Sequence, residues 1–184
     1  MKQLKTAFSV LFLLVLGGFS FIWIQREMEF REELKQRPMP SGLHPIIEEK
    51  RDELVRLASA AGIDIIITDG FRSRDEQDRL HAQGRSAPGN VVTQVQGGGS
   101  YHNYGLAIDF ALRDGNGGVV WDIERDVNRN GESDWFEVAA IGKELGFSWG
   151  GDWRRFKDYP HLEMTFGLSI KELQEGYRPE DVMD

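Results

Sequence analysis

Ser100-Tyr101-His102-Asn103-Tyr104-Gly105-Leu106-Ala107-Ile108-Asp109 is the densest run of chemically capable side chains in the chain, and its reading decides the fold. Residues 106–112 alternate in hydrophobicity well enough for a strand, so Asp109 is expected on that strand and His102 in the turn leading into it. A strand–turn pair at this spacing can aim both side chains at one point. The same spacing also suits a surface histidine and a solvated aspartate, and spacing alone leaves both readings open. Only four histidines occur, His44, His81, His102 and His161. Catalytic zinc needs three nitrogen or oxygen ligands and one position for water, and two histidines with one carboxylate supply such a set, which this chain permits once. His44 precedes Pro45 and His81 falls on an expected helix; both are assigned to structure or surface.

Outward from this run, residues 63–68 form a β-branched stretch that stops at Asp69-Gly70, a buried strand entering a turn. Before it, apolar residues recur at helical spacing over 45–61, with Pro45 suited to the first turn and Gly62 to the end. Ser73 with Glu76 has capping-box spacing and predicts a helix over 74–83 that ends at Gly84. Residues 88–100 read as loop with a short strand at 91–95. Asp114-Gly115-Asn116-Gly117-Gly118 is a hairpin turn returning the chain into 119–121. Further on, 135–145 reads as a helix, 161–165 as a strand and 169–174 as a short terminal helix. Helices clustered with a mainly antiparallel sheet make an α+β domain.

Composition narrows the function. The 30 acidic against 22 basic residues give a formal charge of -8, the wrong sign for nucleic acid as a partner. Without cysteine there is no disulfide framework, thiolate zinc site or cysteine nucleophile, so any metal is held by imidazole and carboxylate. Lys2 and Lys5 precede an uncharged apolar stretch over 6–24, which as a helix reaches roughly the 30 Å of a hydrocarbon core. Glu27, Glu29, Glu32 and Glu33 follow it, so the positive-inside tendency places the remainder outside. Residues 1–25 are thus read as a transmembrane anchor or secretory signal, 26–42 as a charged stalk containing Pro38 and Pro40, and 43–184 as one catalytic domain, expected to be a monomer.

The run at 100–109 matches the SxHxxGxAxD signature of the D-alanyl-D-alanine carboxypeptidase and VanY-like zinc peptidases. Asp158-Tyr159-Pro160-His161-Leu162-Glu163 matches their second metal segment, and Thr68-Asp69-Gly70-Phe71-Arg72-Ser73 completes a pattern similar to the CwlK-type L-alanyl-D-glutamate endopeptidases and related phage endolysins. The resemblance covers about residues 42–166. It implies a hedgehog/DD-peptidase-like α+β fold, Zn2+ held by His102, Asp109 and His161, Asp158 as the catalytic base, and a peptidoglycan stem peptide as substrate. Carboxypeptidase relatives more often carry Glu-x-x-His with Trp before the histidine, whereas Asp-x-Pro-His here points to the endopeptidase branch. Glu163 competes for the base role, since residues two apart share a strand face, but is ranked as an orienter of His161. Arg72 is either a solvated turn arginine or, as the resemblance implies, the group that holds substrate; its charge is permanent. The alternatives are a D-Ala-D-Ala carboxypeptidase and a non-catalytic, metal-containing wall-binding module.

A second constellation is independent of the first. Residues 126–137 fit the twelve-position calcium loop, with Asp126, Asn128, Asn130, Asp134 and Glu137 at positions 1, 3, 5, 9 and 12 and Gly131 at position 6. Ser133 stands where an apolar residue is usual, and no entering helix is evident. The competing reading is an acidic turn that binds nothing.

Overall fold

The computed structural model describes residues 2–183, with side chains from residue 15 onward. One compact unit comprises residues 1–38 and 175–177; the other comprises residues 39–174 and 178–184. The first contains helix α1, Lys2–Gln36. The stretch read as a stalk is therefore helical up to Gln36, aided by ion pairs such as Arg31–Glu27 at helical spacing. Among the described residues no helix is long and apolar enough to cross a membrane. The expected transmembrane helix is thus not found. Residues 6–14 of that span lie outside the described side chains, and the described part of α1 becomes charged from Arg26 onward.

The second unit holds a five-stranded antiparallel sheet. Its strands are β1 (Ile65–Asp69), β2 (Ala107–Arg113), β3 (Val119–Val120), β4 (Ser148–Trp149) and β5 (His161–Glu163). The order is β1-β2-β5-β4, and β3 pairs with the end of β2. Around it stand α2 (Pro45–Ala60), α3 (Arg74–Ala82), α4 (Asp134–Glu144) and α5 (Ile170–Gln174). The expected elements are present within a residue or two, and the capping box of Ser73 and Glu76 opens α3. The expected strand at 91–95 is absent. Instead Gln77, fully buried on α3, donates to Thr93 Oγ1 at 3.1 Å and to the Val95 carbonyl at 2.9 Å, so this segment pairs with a side chain rather than a sheet edge. Strand β4 was not anticipated, being two residues long and too short to show a period.

Ile108, Phe110 and Leu112 of β2 are buried with Leu162 of β5 and with Trp135 and Val138 of α4. This core fixes the height of the central strands. Ahead of β2, residues Tyr101–Tyr104 form a single 3-10 turn that Ser100 caps and Gly105 ends. Gly105 lies at φ 68, and a Cβ there would collide with the carbonyl of Gly42. We expect Gly105→Ala to lower the unfolding free energy by roughly 1–3 kcal/mol, the usual cost of a strained left-handed residue, as read from a shifted urea midpoint.

Candidate metal centre

Sheet register brings the candidate ligands together. Asp109 on β2 is the direct cross-strand partner of His161 on β5, and on its other side it is paired with Asp69 of β1. A bulge between Ile67 and Asp69 shifts β1 so that Asp69 rather than Thr68 occupies that place. His102 enters from the 3-10 turn. Its Nε2 lies 3.2 Å from His161 Nδ1 and 3.3 Å from Asp109 Oδ1, while His161 Nδ1 lies 3.1 Å from the same carboxylate oxygen. These three ligand atoms lie within 4.8 Å of one another.

Each histidine uses its other nitrogen to fix its orientation. His102 Nδ1 donates to the Gly70 carbonyl at 2.7 Å, leaving Nε2 for the centre. His161 Nε2 donates to Glu163 Oε2 at 3.0 Å, leaving Nδ1. Such outer hydrogen bonds set the tautomer and raise the basicity of a metal-binding imidazole. Two buried imidazole nitrogens and one carboxylate oxygen, oriented this way, fit a catalytic zinc ion.

Without an ion the cluster is held by charge. Burial opposes the Asp109 carboxylate, but hydrogen bonds from His102 and His161 keep it well below the ordinary carboxylate range. Burial likewise opposes the His161 imidazolium, yet hydrogen bonds to Asp109 and Glu163 lift its pKa to about 9. Asp158 stands at the rim, where burial pushes its carboxyl up; the histidines and Arg72 pull it down and Asp109 adds to the rise. Its backbone N–H donates to the Gly150 carbonyl at 3.2 Å, and a Cβ on Gly150 would come within 3.0 Å of the Asp158 Cβ and 3.1 Å of the His161 Cβ. A glycine is needed there for Asp158 and His161 to approach.

Arg72 is not a solvated turn residue. Its guanidinium pairs with Asp69 through both Nε and Nη2, donates from Nη1 to Gln77 Oε1 at 2.8 Å, and stands 3.9 Å from Asp109 Oδ2. Asn103 braces the same region, donating to the Arg72 carbonyl at 2.9 Å while its Oδ1 accepts from Gly98 at 2.8 Å. Local sequence does not mark Asp69 and Gln77 as the groups that hold Arg72. Asp69 stands out there only as a turn residue within the Thr68–Ser73 pattern, and the one signal for Gln77 is its shared helical face with Leu80. Ser100 caps the turn, its hydroxyl accepting from the His102 N–H at 3.3 Å. His44 caps α2, and His81 lies on α3 away from the centre. The loop of Asp126, Asn128, Asn130, Asp134 and Glu137 contributes no group to the centre.

Two recesses adjoin this row of residues. One, of about 310 Å³, is lined by Asp69, Phe71, Arg72, Glu76 and Arg79 among others. The other, of about 450 Å³, is lined by Lys143, Trp149, Trp153 and Glu163 among others.

A family model described as D-alanyl-D-alanine carboxypeptidase matches residues 93–164, which include all three candidate ligands and Asp158. DacB of Streptococcus pneumoniae D39 shares the fold, with a TM-score of 0.52 at 21% identity over 78% of this chain and 77% of that one. Such a fold, with two imidazoles and a carboxylate gathered at one point, has the make-up of a metallopeptidase. The chain is 55% identical over 157 residues to the peptidoglycan L-alanyl-D-glutamate endopeptidase CwlK of Bacillus subtilis (strain 168), covering 85% of this chain and 94% of that protein. It is also 31% identical over 114 residues to an L-alanyl-D-glutamate peptidase of Listeria phage A118, spanning 62% of this chain and 35% of the phage protein. The chain belongs to the family of peptidoglycan L-alanyl-D-glutamate endopeptidases.

In the metal-free protein His161 holds a proton that an ion at this centre would displace. With His161 at about 9 in the metal-free protein, zinc binding at pH 7 should release close to one proton, and apparent affinity should rise about tenfold per pH unit until it levels near 9. Calorimetry in buffers of different ionisation enthalpy reads this directly. The raised value also stabilises the metal-free fold: that contribution is complete below about 6.5 and is lost as pH climbs through 9. Glu163→Ala should weaken zinc binding by roughly 10- to 100-fold, measured by chelator competition.

Proposed function

We propose that this protein hydrolyses the L-alanyl-D-glutamate bond of the peptidoglycan stem peptide, with zinc held by His102, Asp109 and His161. What carries the reading is the convergence of these three ligand atoms beside Asp158, in a chain 55% identical to an endopeptidase of that specificity. Zinc in such a set lowers the pKa of a bound water toward ~7 and polarises a carbonyl.

The chain's own residues do the rest. Asp158 takes the water proton and passes it to the leaving amine, a role typically worth about 10²- to 10⁴-fold in rate. Its raised pKa suits that exchange, because a carboxyl nearer neutrality both accepts and returns a proton. Glu163 is committed to His161 Nε2, which supports its role as orienter rather than base. Arg72 keeps Asp109 in place through its position beside Oδ2 and adds positive charge next to the scissile carbonyl.

The recesses on the Arg72 side and the Trp153 side leave room for substrate on both sides of the cut, which favours an endopeptidase over a carboxypeptidase. The enzyme acts outside the cytoplasmic membrane. The exposed Phe19, Phe21, Ile22 and Trp23 support a membrane-associated N-terminal segment. Deleting residues 1–25 should move the protein from the membrane pellet to the supernatant; an unchanged distribution would remove the anchoring part of the proposal.

The decisive experiment is mass spectrometry of muropeptides after incubation with the enzyme. New amino-terminal D-glutamate should appear and vanish with a zinc chelator, whereas release of D-alanine alone would establish the carboxypeptidase reading. Asp158→Ala should cut kcat by at least about 10²-fold while zinc content is unchanged. Undiminished turnover in that variant would transfer the base role to Glu163.

A further inference from the structure

Arg154-Arg155-Phe156-Lys157 is the only run of four consecutive residues in the chain with three basic side chains, in a protein of formal charge -8. It forms the outer part of a short loop between β4 and β5 that is closed at its base. The Gly150 carbonyl accepts from the N–H groups of both Trp153 and Asp158 at 3.2 Å, and Lys157 Nζ donates to the Gly151 carbonyl at 2.8 Å. Asp152, which precedes the loop, is paired with Lys143 at 2.6 Å. Arg154 and Arg155 are exposed, and among the described residues the side chain of neither enters an ion pair or a hydrogen bond. Phe156 between them and Lys157 is 66% exposed. The tip of the loop therefore holds nothing together within the fold, and two arginine charges stand there uncommitted.

The base of the same loop borders the metal centre. The Trp153 ring lies 5.2 Å from the His161 ring, and Trp153 lines the recess of about 450 Å³ together with Glu163. Asp158 follows Lys157 directly. Three residues of chain span at most about 11 Å, so Arg155 is no farther than that from the Asp158 backbone. An arginine side chain and a glutamyl side chain cover such a distance between them. Asp158 returns its proton to the leaving amine, so the substrate residue that owns this amine sits beside Asp158 and next to the loop.

For the bond proposed above, that residue is the glutamyl. One of its carboxyls continues the chain and the other is free, so a negative charge arrives within one residue of the cut. Asp69, Asp109, Asp158 and Glu163 border the centre and repel it. The Arg72 guanidinium is already turned to Asp69 and Gln77. We propose that Arg154 and Arg155 bind this free carboxylate and set the preference of the enzyme for an acidic residue on the leaving-amine side of the cut. The inference rests on the L-alanyl-D-glutamate reading and names the residues that recognise its acidic half. Guanidinium suits the task, because its planar fork meets a carboxylate with two parallel N–H donors and never loses its charge. An exposed pair of this kind is screened by salt, so it contributes selectivity of about tenfold and leaves the chemical step to the centre.

The test uses the full chain loaded with zinc and two sets of muropeptides, one with the glutamyl carboxyl free and one with it amidated. The wild type should cut the free acid with a kcat/KM about tenfold above the amide, and about 0.5 M salt should shrink that preference. The Arg154→Ala and Arg155→Ala pair should raise KM for the free acid about tenfold with kcat within about twofold, since binding and not chemistry is lost. Its kinetics on the amide and its zinc content should match the wild type. Arg154→Lys with Arg155→Lys should recover part of the preference, because the charge returns without the fork. Mass spectrometry of the free-acid products locates the cut in every run. Amino-terminal D-glutamate with an undiminished acid preference in the alanine pair would overturn the assignment of the arginines and leave the bond assignment intact. Products without amino-terminal D-glutamate would overturn both. A loss confined to intact wall, with the preference on soluble muropeptides kept, would assign the loop to an anionic wall polymer and also overturn the proposal. Should the double variant fail to fold, Arg154→Gln and Arg155→Gln singly carry the same comparison.

Discussion

The register between β2 and β5 is the constraint on which everything else rests. It places Asp109 opposite His161, and the neighbouring pairing with β1 places Asp69 opposite Asp109. Side chains alternate along a strand, so a slip of one residue would bring Ile108 or Phe110 to the centre and drive Asp109 into the space they fill. Ile108 and Phe110 are fully buried. A lone carboxylate in that apolar space is prohibitively costly, so the packing of the core and the assembly of the ligand set are one requirement.

That register alone would gather carboxylates too closely. Asp69, Asp109, Asp158 and Glu163 all border the centre in a chain of formal charge -8. Two positive elements make the arrangement tenable, the Arg72 guanidinium on Asp69 and the proton that His161 holds without metal, and a metal ion would take that proton's place. The outer hydrogen bonds from His102 to Gly70 and from His161 to Glu163 keep both rings aimed while that exchange occurs. Their worth is in preorganisation, because a ligand already in its metal-binding rotamer has less to lose on binding.

Much of this was legible in the chain. The capping box of Ser73 and Glu76, the strand over 106–112 and the helix before Gly62 followed from local chemistry, and the candidate ligands followed from histidine scarcity joined to the family pattern. What could not be read was non-local. The bulge that swaps Asp69 for Thr68 depends on β1 meeting β2, and the burial of Gln77 depends on residues 93–95 packing over α3. That same side chain explains why 91–95 is not a strand despite its three valines. Pairing with Gln77 satisfies backbone and hydroxyl groups that a sheet edge would otherwise have taken. Glu163 was legible in part, since its place two residues after His161 fixed its face, though only the structure commits it to Nε2.

The state of Arg72 bears on which bond is cut. A carboxypeptidase must hold the free carboxylate at the end of its substrate, and an arginine does this with two parallel N–H donors from an open fork. Here Nε and Nη2 are turned to Asp69, and Nη1 is turned to Gln77. Little of the fork remains for a terminal carboxylate, and freeing it would strand the buried Gln77 oxygen and the Asp69 charge. An interior amide makes no such demand, because it needs positive charge near its carbonyl and space on either side. A fixed guanidinium beside Asp109, in the wall of one of two recesses, is better matched to that substrate than to a chain end.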